Sequence, residues 1–510
     1  MFQHAWVTIY HDSGFKGKFD LHKKWDREFY RLAAILEEVD ELFSRMQKTL
    51  QRYESSYGEF MNEALIEETI ERMEIIYEAE PENQDVASKI AKMAMCIGNW
   101  EKAIHTLQPF VKTKNAAILR DLGVSMIKFY PKDSNEFLKG REFLEEAIEI
   151  DPMDYDAYAS LGGCWKNFNE EKARNCYKNA FEINPSDPYC LGNYLIYEVR
   201  HLNNLDPISL SQPMIQSAIE KCNDQIELEI NLPWAFFDKG LFNLFLGEIN
   251  ESMNSYLNGL KYSTDDWMIS TTLNTLDLLN VVKDQLENID MVKKLVLIGL
   301  VFRFNNGDAI DQLQNEYDSK GSKFSQPIII LAGSTASKME SKMQEFNEIL
   351  INTFKNFKGT LISGGTKSGV SGLAGSIQEK YPDFINAYGY VPRVIPYDNV
   401  EIDNRYKEIR RTTGTDFSIR EAIQYWVDIC ISDVDKRRVK LLGIAGGNIS
   451  SFEYRLALIL GIKVGFLENS GGQAESLVQD PKWQNYTIGK NAQLRILKNN
   501  EQNIINFLSK

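Results

Sequence analysis

The sequence predicts a two-part protein, an α-solenoid followed by a parallel α/β domain, and so an α plus α/β chain. Three observations carry this. Between residues 98 and 259, small residues, aromatics and prolines recur in a helical register. From residue 328 on, short apolar runs alternate with helical patterns, and several of the runs end in small residues. The length of 510 residues itself implies at least two domains.

Composition sets the class. Hydrophobic residues make up 43% and charged residues 25%, as in ordinary soluble proteins. No apolar run is long enough to span a membrane, and the start (MFQHAWVTIYHDSG) lacks a basic region followed by an apolar core. A cytoplasmic protein without membrane contact is expected. The six cysteines form no CxxC and read as reduced core thiols. None of the five histidines falls after His201, so the carboxyl-terminal domain has no His-activated nucleophile and no His-type zinc site. No metal is expected. Of the 57 Lys+Arg and 72 Asp+Glu, residues 321–510 hold 24 and 19, a net of about +5, against about −20 for the remainder. A mildly basic domain on an acidic scaffold suits a small anionic ligand. Without a dense basic stripe, nucleic acid is not an expected partner.

Residues 1–59 read as an amino-terminal helical or capping segment. Ala5 to Tyr10 fits either a short strand or a docking segment, and Phe29, Leu32, Ile35, Leu36, Val39, Leu42 and Phe43 form one apolar helical stripe. Residues 60–304 carry the repeats. Asp156 to Pro185 resembles a tetratricopeptide repeat, with Leu161-Gly162 as the small pair of the first helix, Trp165 after it, Ala173, Tyr177 and Ala180 in the second helix, and Pro185 ending the unit. Leu122-Gly123, Ala147 and Pro152 keep the same register, and weaker copies lie at Gly98–Ala103 and at Gly240, Gly247, Ser252, Tyr256 and Gly259. Small residues let paired helices approach, aromatics fill the space between, and proline stops the second helix. The resemblance implies a tetratricopeptide-like α-solenoid with a concave partner-binding surface. Residues 305–325, polar and glycine-containing, read as a hinge.

Residues 326–510 read as a Rossmann-like parallel α/β domain. Ile328–Ala332 is a strand closed by Gly333-Ser334-Thr335. A helix follows, and a second strand, Thr360–Ser363, opens into Gly364-Gly365-Thr366-Lys367-Ser368-Gly369-Val370, where Gly369 begins the next helix. A third strand is Phe384–Val391. Pro392 to Asp416, with Arg393, Arg405, Arg410 and Arg411, reads as a long loop over the strand ends whose arginines either clamp phosphates or are simply solvated. A helix with Arg420 leads to a further strand ending in Ala445-Gly446-Gly447-Asn448-Ile449-Ser450-Ser451-Phe452-Glu453, in which Ser450 or Ser451 caps the next helix. Lys463–Leu467 is the last strand read, and its Gly471-Gly472 end faces the same cleft. Glycine turns at the carboxyl ends of parallel strands allow a phosphate to meet helix amino-terminal amides.

A strand with GGT-x-x-GV, followed downstream by a strand with GG-x-x-S-x-x-E, resembles the SLOG superfamily. That group includes LOG-type nucleotide phosphoribohydrolases, DprA-like proteins and the amino-terminal region of melastatin-type TRP channels. The departures are Ala445 at the proline and Ile449 at the third glycine of the LOG motif. The resemblance implies a ligand site formed by Gly333, Ser334, Thr335, Gly364, Gly365, Thr366, Lys367, Gly369, Val370, Arg420, Gly446, Gly447, Asn448, Ser450 and Glu453. The ligand would be a nucleotide second messenger derived from ADP-ribose, cyclic ADP-ribose or NAD, with no cofactor required. The combined architecture resembles components of bacterial anti-phage defence, in which a TIR-type enzyme or another effector is a partner of a sensor that forms homo-oligomers. The alternative is a nucleotide N-glycosidase using Arg420 and Glu453 as a functional pair.

Overall fold

The computed structural model describes residues 63–166, 168–317, 321–334, 340–487 and 492–509. The amino-terminal segment 1–59 and the candidate residue Thr335 lie outside them. The chain forms two compact units, Met1–Phe242 and Asn243–Lys510.

The first unit is helical: α1 (Glu63–Ala79), α2 (Gln84–Cys96), α3 (Trp100–Leu107), α4 (Ala116–Phe129), α5 (Asn135–Ile150), α6 (Tyr155–Trp165), α7 (Glu170–Ile183), α8 (Pro188–Leu202), α9 (Asp206–Leu210), α10 (Gln212–Glu227) and α11 (Trp234–Phe245). The sequence fixes the helix starts with short polar caps. Side-chain oxygens of Asn83, Asn99, Asn115, Ser134, Asp154, Asn169 and Asp187 accept from amides two or three residues on, closing the amino ends of α2 to α8. Neighbouring helices from α1 to α8 pack on each other in chain order. The small residues of the repeat register sit at these contacts: a Cβ on Gly123 would meet Gly140 O at 2.7 Å, and one on Gly162 would meet the Tyr177 ring at 3.0 Å. All six cysteines are free thiols, five of them buried.

The second unit opens with four helices, α12 (Ile249–Tyr262), α13 (Asp266–Asp277), α14 (Ile289–Phe304) and α15 (Gly307–Tyr317). Helix α14 is apolar on nearly every side and buries residues from Ile289 to Phe302, as a core helix does. No described helix is long and apolar enough to cross a membrane. The stretch read as a hinge is largely α15, which packs on α14 and on α18 (Ile419–Ile431) through Ala309 and Leu313. Its polar composition is that of an exposed helical face, and the two units divide at Phe242/Asn243.

Seven parallel strands follow: β1 (Ile328–Gly333), β2 (Gly359–Ser363), β3 (Ile385–Val391), β4 (Glu408–Arg411), β5 (Val439–Ile444), β6 (Lys463–Leu467) and β7 (Leu494–Leu497), in the order β4-β3-β2-β1-β5-β6-β7. Ile328 to Gly333 pair along their whole length with Val439 to Ile444, so β1 and β5 form the centre. One face of the sheet, with Ile329, Leu331, Leu361 and Leu442, packs on α16 (Glu340–Thr353), α17 (Gly369–Lys380) and α21 (Glu501–Ser509). The other face is covered by α18 and α19 (Asn448–Ile459), and α20 (Gly472–Gln479) packs on α19. This is a parallel α/β sheet wound on both faces.

In the long excursion from Pro392 to Asp416, three of the four arginines are engaged within the fold. The excursion contains β4, whose Arg410 is buried with Nη1 2.5 Å from Asp428 Oδ2 and Nε 2.8 Å from Glu408 Oε1. Arg405 chelates Asp403 at 2.7 Å and donates to Ser376 and the Gly372 carbonyl. Both guanidiniums hold the edge strand and its approach in place, and Arg411 donates to the Pro392 and Arg393 carbonyls.

Candidate functional site

The chain runs outward from β1 through β2 and β3 to β4, then crosses back to β5 beside β1. Connections therefore leave in opposite directions from β1 and β5, and a crevice opens at their carboxyl ends.

The residues that close this crevice fit tightly. Ser334 N donates to Ile444 O at 3.2 Å, and Ser334 O accepts from Val370 N at 3.2 Å, tying β1, β5 and α17 together. A Cβ on Gly333 would stand 2.2 Å from Ile444 O and 2.8 Å from Val370 Cγ2, so only glycine permits this approach. Ser450 Oγ donates to Gly333 O at 3.3 Å, and the Tyr454 hydroxyl bonds Ala332 O at 3.2 Å. Ala445 takes φ 56°, a left-handed conformation closed to proline and uncommon for alanine. Its amide donates to Ser470 Oγ at 3.1 Å, and the Ala445 and Gly446 carbonyls accept from Ala474 and Gln473 on α20.

Helix α19 starts three or four residues earlier than the serine caps imply: Gly447 is its amino-terminal cap, Asn448 its first residue, and Ser450 and Ser451 lie inside the first turn. The amides of Asn448, Ile449 and Ser450 meet no acceptor among the described residues, and Gly447 and Asn448 are exposed. Ile449, at the missing glycine, lies in this turn without a left-handed φ. At the start of α17, the Gly369 and Ser371 amides likewise meet no acceptor among the described residues. Two helix amino termini thus border the crevice with open donors, the arrangement that binds anions.

Glu453 stands one turn further along α19. Tyr425 OH donates to its Oε1 at 3.1 Å. Burial pushes the Glu453 carboxyl up to about 7, Tyr425 works against that rise, and the Glu421 charge adds to it. The same contact and burial raise Tyr425 well above its usual range.

The structure gathers Gly333, Ser334, Val370, Gly446 and Ser450 into one contact set, with Gly369, Gly447 and Asn448 at the helix ends beside it. Other candidates are engaged elsewhere. Gly365 is buried against β3, 3.1 Å from Gly389 Cα if given a Cβ, and Gly364 abuts Ser371. Thr366 is buried and bridged to Ile402, while Lys367 is held 2.5 Å from Glu401. Arg420 is not paired with Glu453: its Nη2 donates to Asn288 at 2.5 Å and its Nη1 to Thr413 at 3.4 Å. Sequence reasoning missed Tyr425 and Tyr454. Tyr454 directly follows the motif glutamate, and Tyr425 lies on the apolar face of α18, where it reads as core. Compared with protein-family models and with curated proteins, the sequence matches none.

Proposed function

We propose that the crevice between β1 and β5 binds a nucleotide derived from ADP-ribose or NAD, and that the protein is a non-catalytic sensor. The observation that carries this reading is the set of open amides at Asn448, Ile449 and Ser450 beside the exposed Gly447. A pyrophosphate matches both their charge preference and their geometry. The SLOG resemblance supplies the nucleotide class, and the tetratricopeptide resemblance supplies the output: partner binding or oligomerisation through the helical region, in anti-phage defence in the cytoplasm.

A hydrolytic reading keeps one support, the raised carboxyl of Glu453, which suits a general acid near neutral pH. Against it, the arginine that reading requires is bonded to Asn288 and Thr413. Thermal-shift measurements with AMP, ADP-ribose, NAD and cyclic ADP-ribose isomers, followed by mass spectrometry of the recovered ligand, separate the two. A sensor is stabilised and returns its ligand intact. Free base with ribose phosphate in the recovered pool identifies an enzyme, and no stabilisation by any of them removes both readings.

A further inference from the structure

A second cavity opens at the other rim of the sheet, where the strands begin. It has a volume of about 630 Å³, within the span of small-molecule sites. Pro327 and Ile329 of the β1 entry, Phe357 before β2 and Leu508 of α21 supply apolar wall. Lys358, Arg437, Arg438 and Lys440 supply the charge, and Asp435 is the one carboxylate in the lining.

These cations are not equivalent. Asp435 takes up Arg437 at 2.7 Å. Lys440, 5% exposed, donates from Nζ to the Phe507 and Leu508 carbonyls at 2.8 Å each, closing the carboxyl end of α21. Among the described residues that leaves one of its three donors uncommitted. Lys358 lies 4.8 Å over the Phe384 ring, and neither it nor Arg438 makes an ion pair among the described residues. Helix dipole compensation explains Lys440 but not Arg438 or Lys358, whose head groups touch no helix-terminal carbonyl among the described residues. Burial lowers Lys440 to about 8, and the charges acting on it, Lys463, Arg438 and Arg495, are all positive and depress it further. Among the described residues, Asp435 alone supplies a counter-charge in this lining.

We propose that this cavity is a second ligand site, taking a small organic phosphate whose apolar portion rests on Phe357 and Leu508. Arg438 and Lys358 hold the phosphate, with the third Lys440 donor behind them. The site is separate from the β1–β5 crevice because it opens at the opposite ends of the same strands.

Isothermal titration of the full chain at low salt, with inorganic pyrophosphate and with ATP as probes, tests this. The Arg438→Gln/Lys358→Gln double variant changes two exposed side chains and is expected to melt like the wild type. Placed in the Gly447→Glu background, where the crevice repels anions, the two changes should lower pyrophosphate affinity about tenfold or more relative to Gly447→Glu alone. Three results overturn the proposal: no heat from either probe up to millimolar concentration, equal pyrophosphate affinity with and without the two glutamines in that background, or binding of a polyglutamate peptide with neither phosphate bound. Loss of pyrophosphate binding in Gly447→Glu alone assigns the anion to the crevice and overturns it as well.

Discussion

The hydroxyl of Tyr425 donates to the carboxyl of Glu453 across 3.1 Å, joining α18 to α19 beneath the crevice. An acid whose folded-state pKa lies above its unfolded value holds more protons folded than unfolded between the two values. Stability then falls as pH rises through that window. For Glu453 the window runs from about 4.3 in the unfolded chain to about 7 in the folded one. Glu453→Gln should match the wild type at pH 4 and be more stable at pH 8, by at most about 4 kcal/mol. Urea titrations of both proteins across that range check it; a constant difference at all pH values refutes it.

Gly447 and Gly333 separate binding from folding. A Cβ on Gly447 meets nothing within 4 Å, and its φ is −104°. Gly447→Glu should therefore keep the melting temperature while its carboxylate repels an anion from the α19 amides, abolishing nucleotide-induced stabilisation. Gly333→Val drives a side chain into the Ile444 carbonyl and should lower stability of the sheet unit, by about 1–3 kcal/mol or more. Thermal melts with and without nucleotide read both effects.

Arg410 and Asp428 form a buried ion pair, 8% and 1% exposed. Arg410→Ala leaves the Asp428 carboxylate buried without its partner and should cost about 3–5 kcal/mol. Adding Asp428→Asn should recover part of that loss, because the orphaned charge goes with it. Denaturant titrations of the single and double variants measure the coupling.

In the helical unit, Gly123→Ala places a methyl group 2.7 Å from Gly140 O and 2.9 Å from Leu144 Cγ. The helices α4 and α5 must separate, at a cost of about 1–3 kcal/mol. Gly98→Ala is the space-matched control, since its Cβ meets nothing within 4 Å, although its φ of 72° leaves some strain. Circular dichroism melts compare the two.

Legibility in the sequence followed the range of the interactions involved. Strands β1, β2, β3, β5 and β6 are apolar runs buried along nearly their whole length, most of them bounded by small residues, and such a run is local information. Strand β4 reads Glu-Ile-Arg-Arg, and it is a strand because Asp428, eighteen residues away, neutralises Arg410. No window around β4 contains that carboxylate. Strand β7 is only four residues, Leu494–Leu497, with Ile496 exposed. At the site, the glycine contacts of Gly333 and Gly446 follow from the motif spacing. The supposed pairing of Arg420 with Glu453 does not, because Asn288, 132 residues earlier, takes the guanidinium. Helix α15, within the stretch read as a hinge, was illegible for a related reason: it buries little besides Ala309 and Leu313, too small a stripe to stand out from a polar linker.

Helix α14 has a consequence for how this protein can be cut. Phe302 meets the Trp426 ring edge-on at 5.3 Å, Lys294 bonds Gln424 at 3.1 Å, and Lys436 bonds the Phe302 carbonyl at 3.1 Å. A fragment beginning at Gln326 would keep every strand yet strip the cover from Trp426, which is fully buried in the intact chain. Such a piece would present a fresh apolar face and aggregate. The smallest fragment fit for expression starts near Asn243, and a protease given the folded protein should respect that limit rather than the sheet's own first strand.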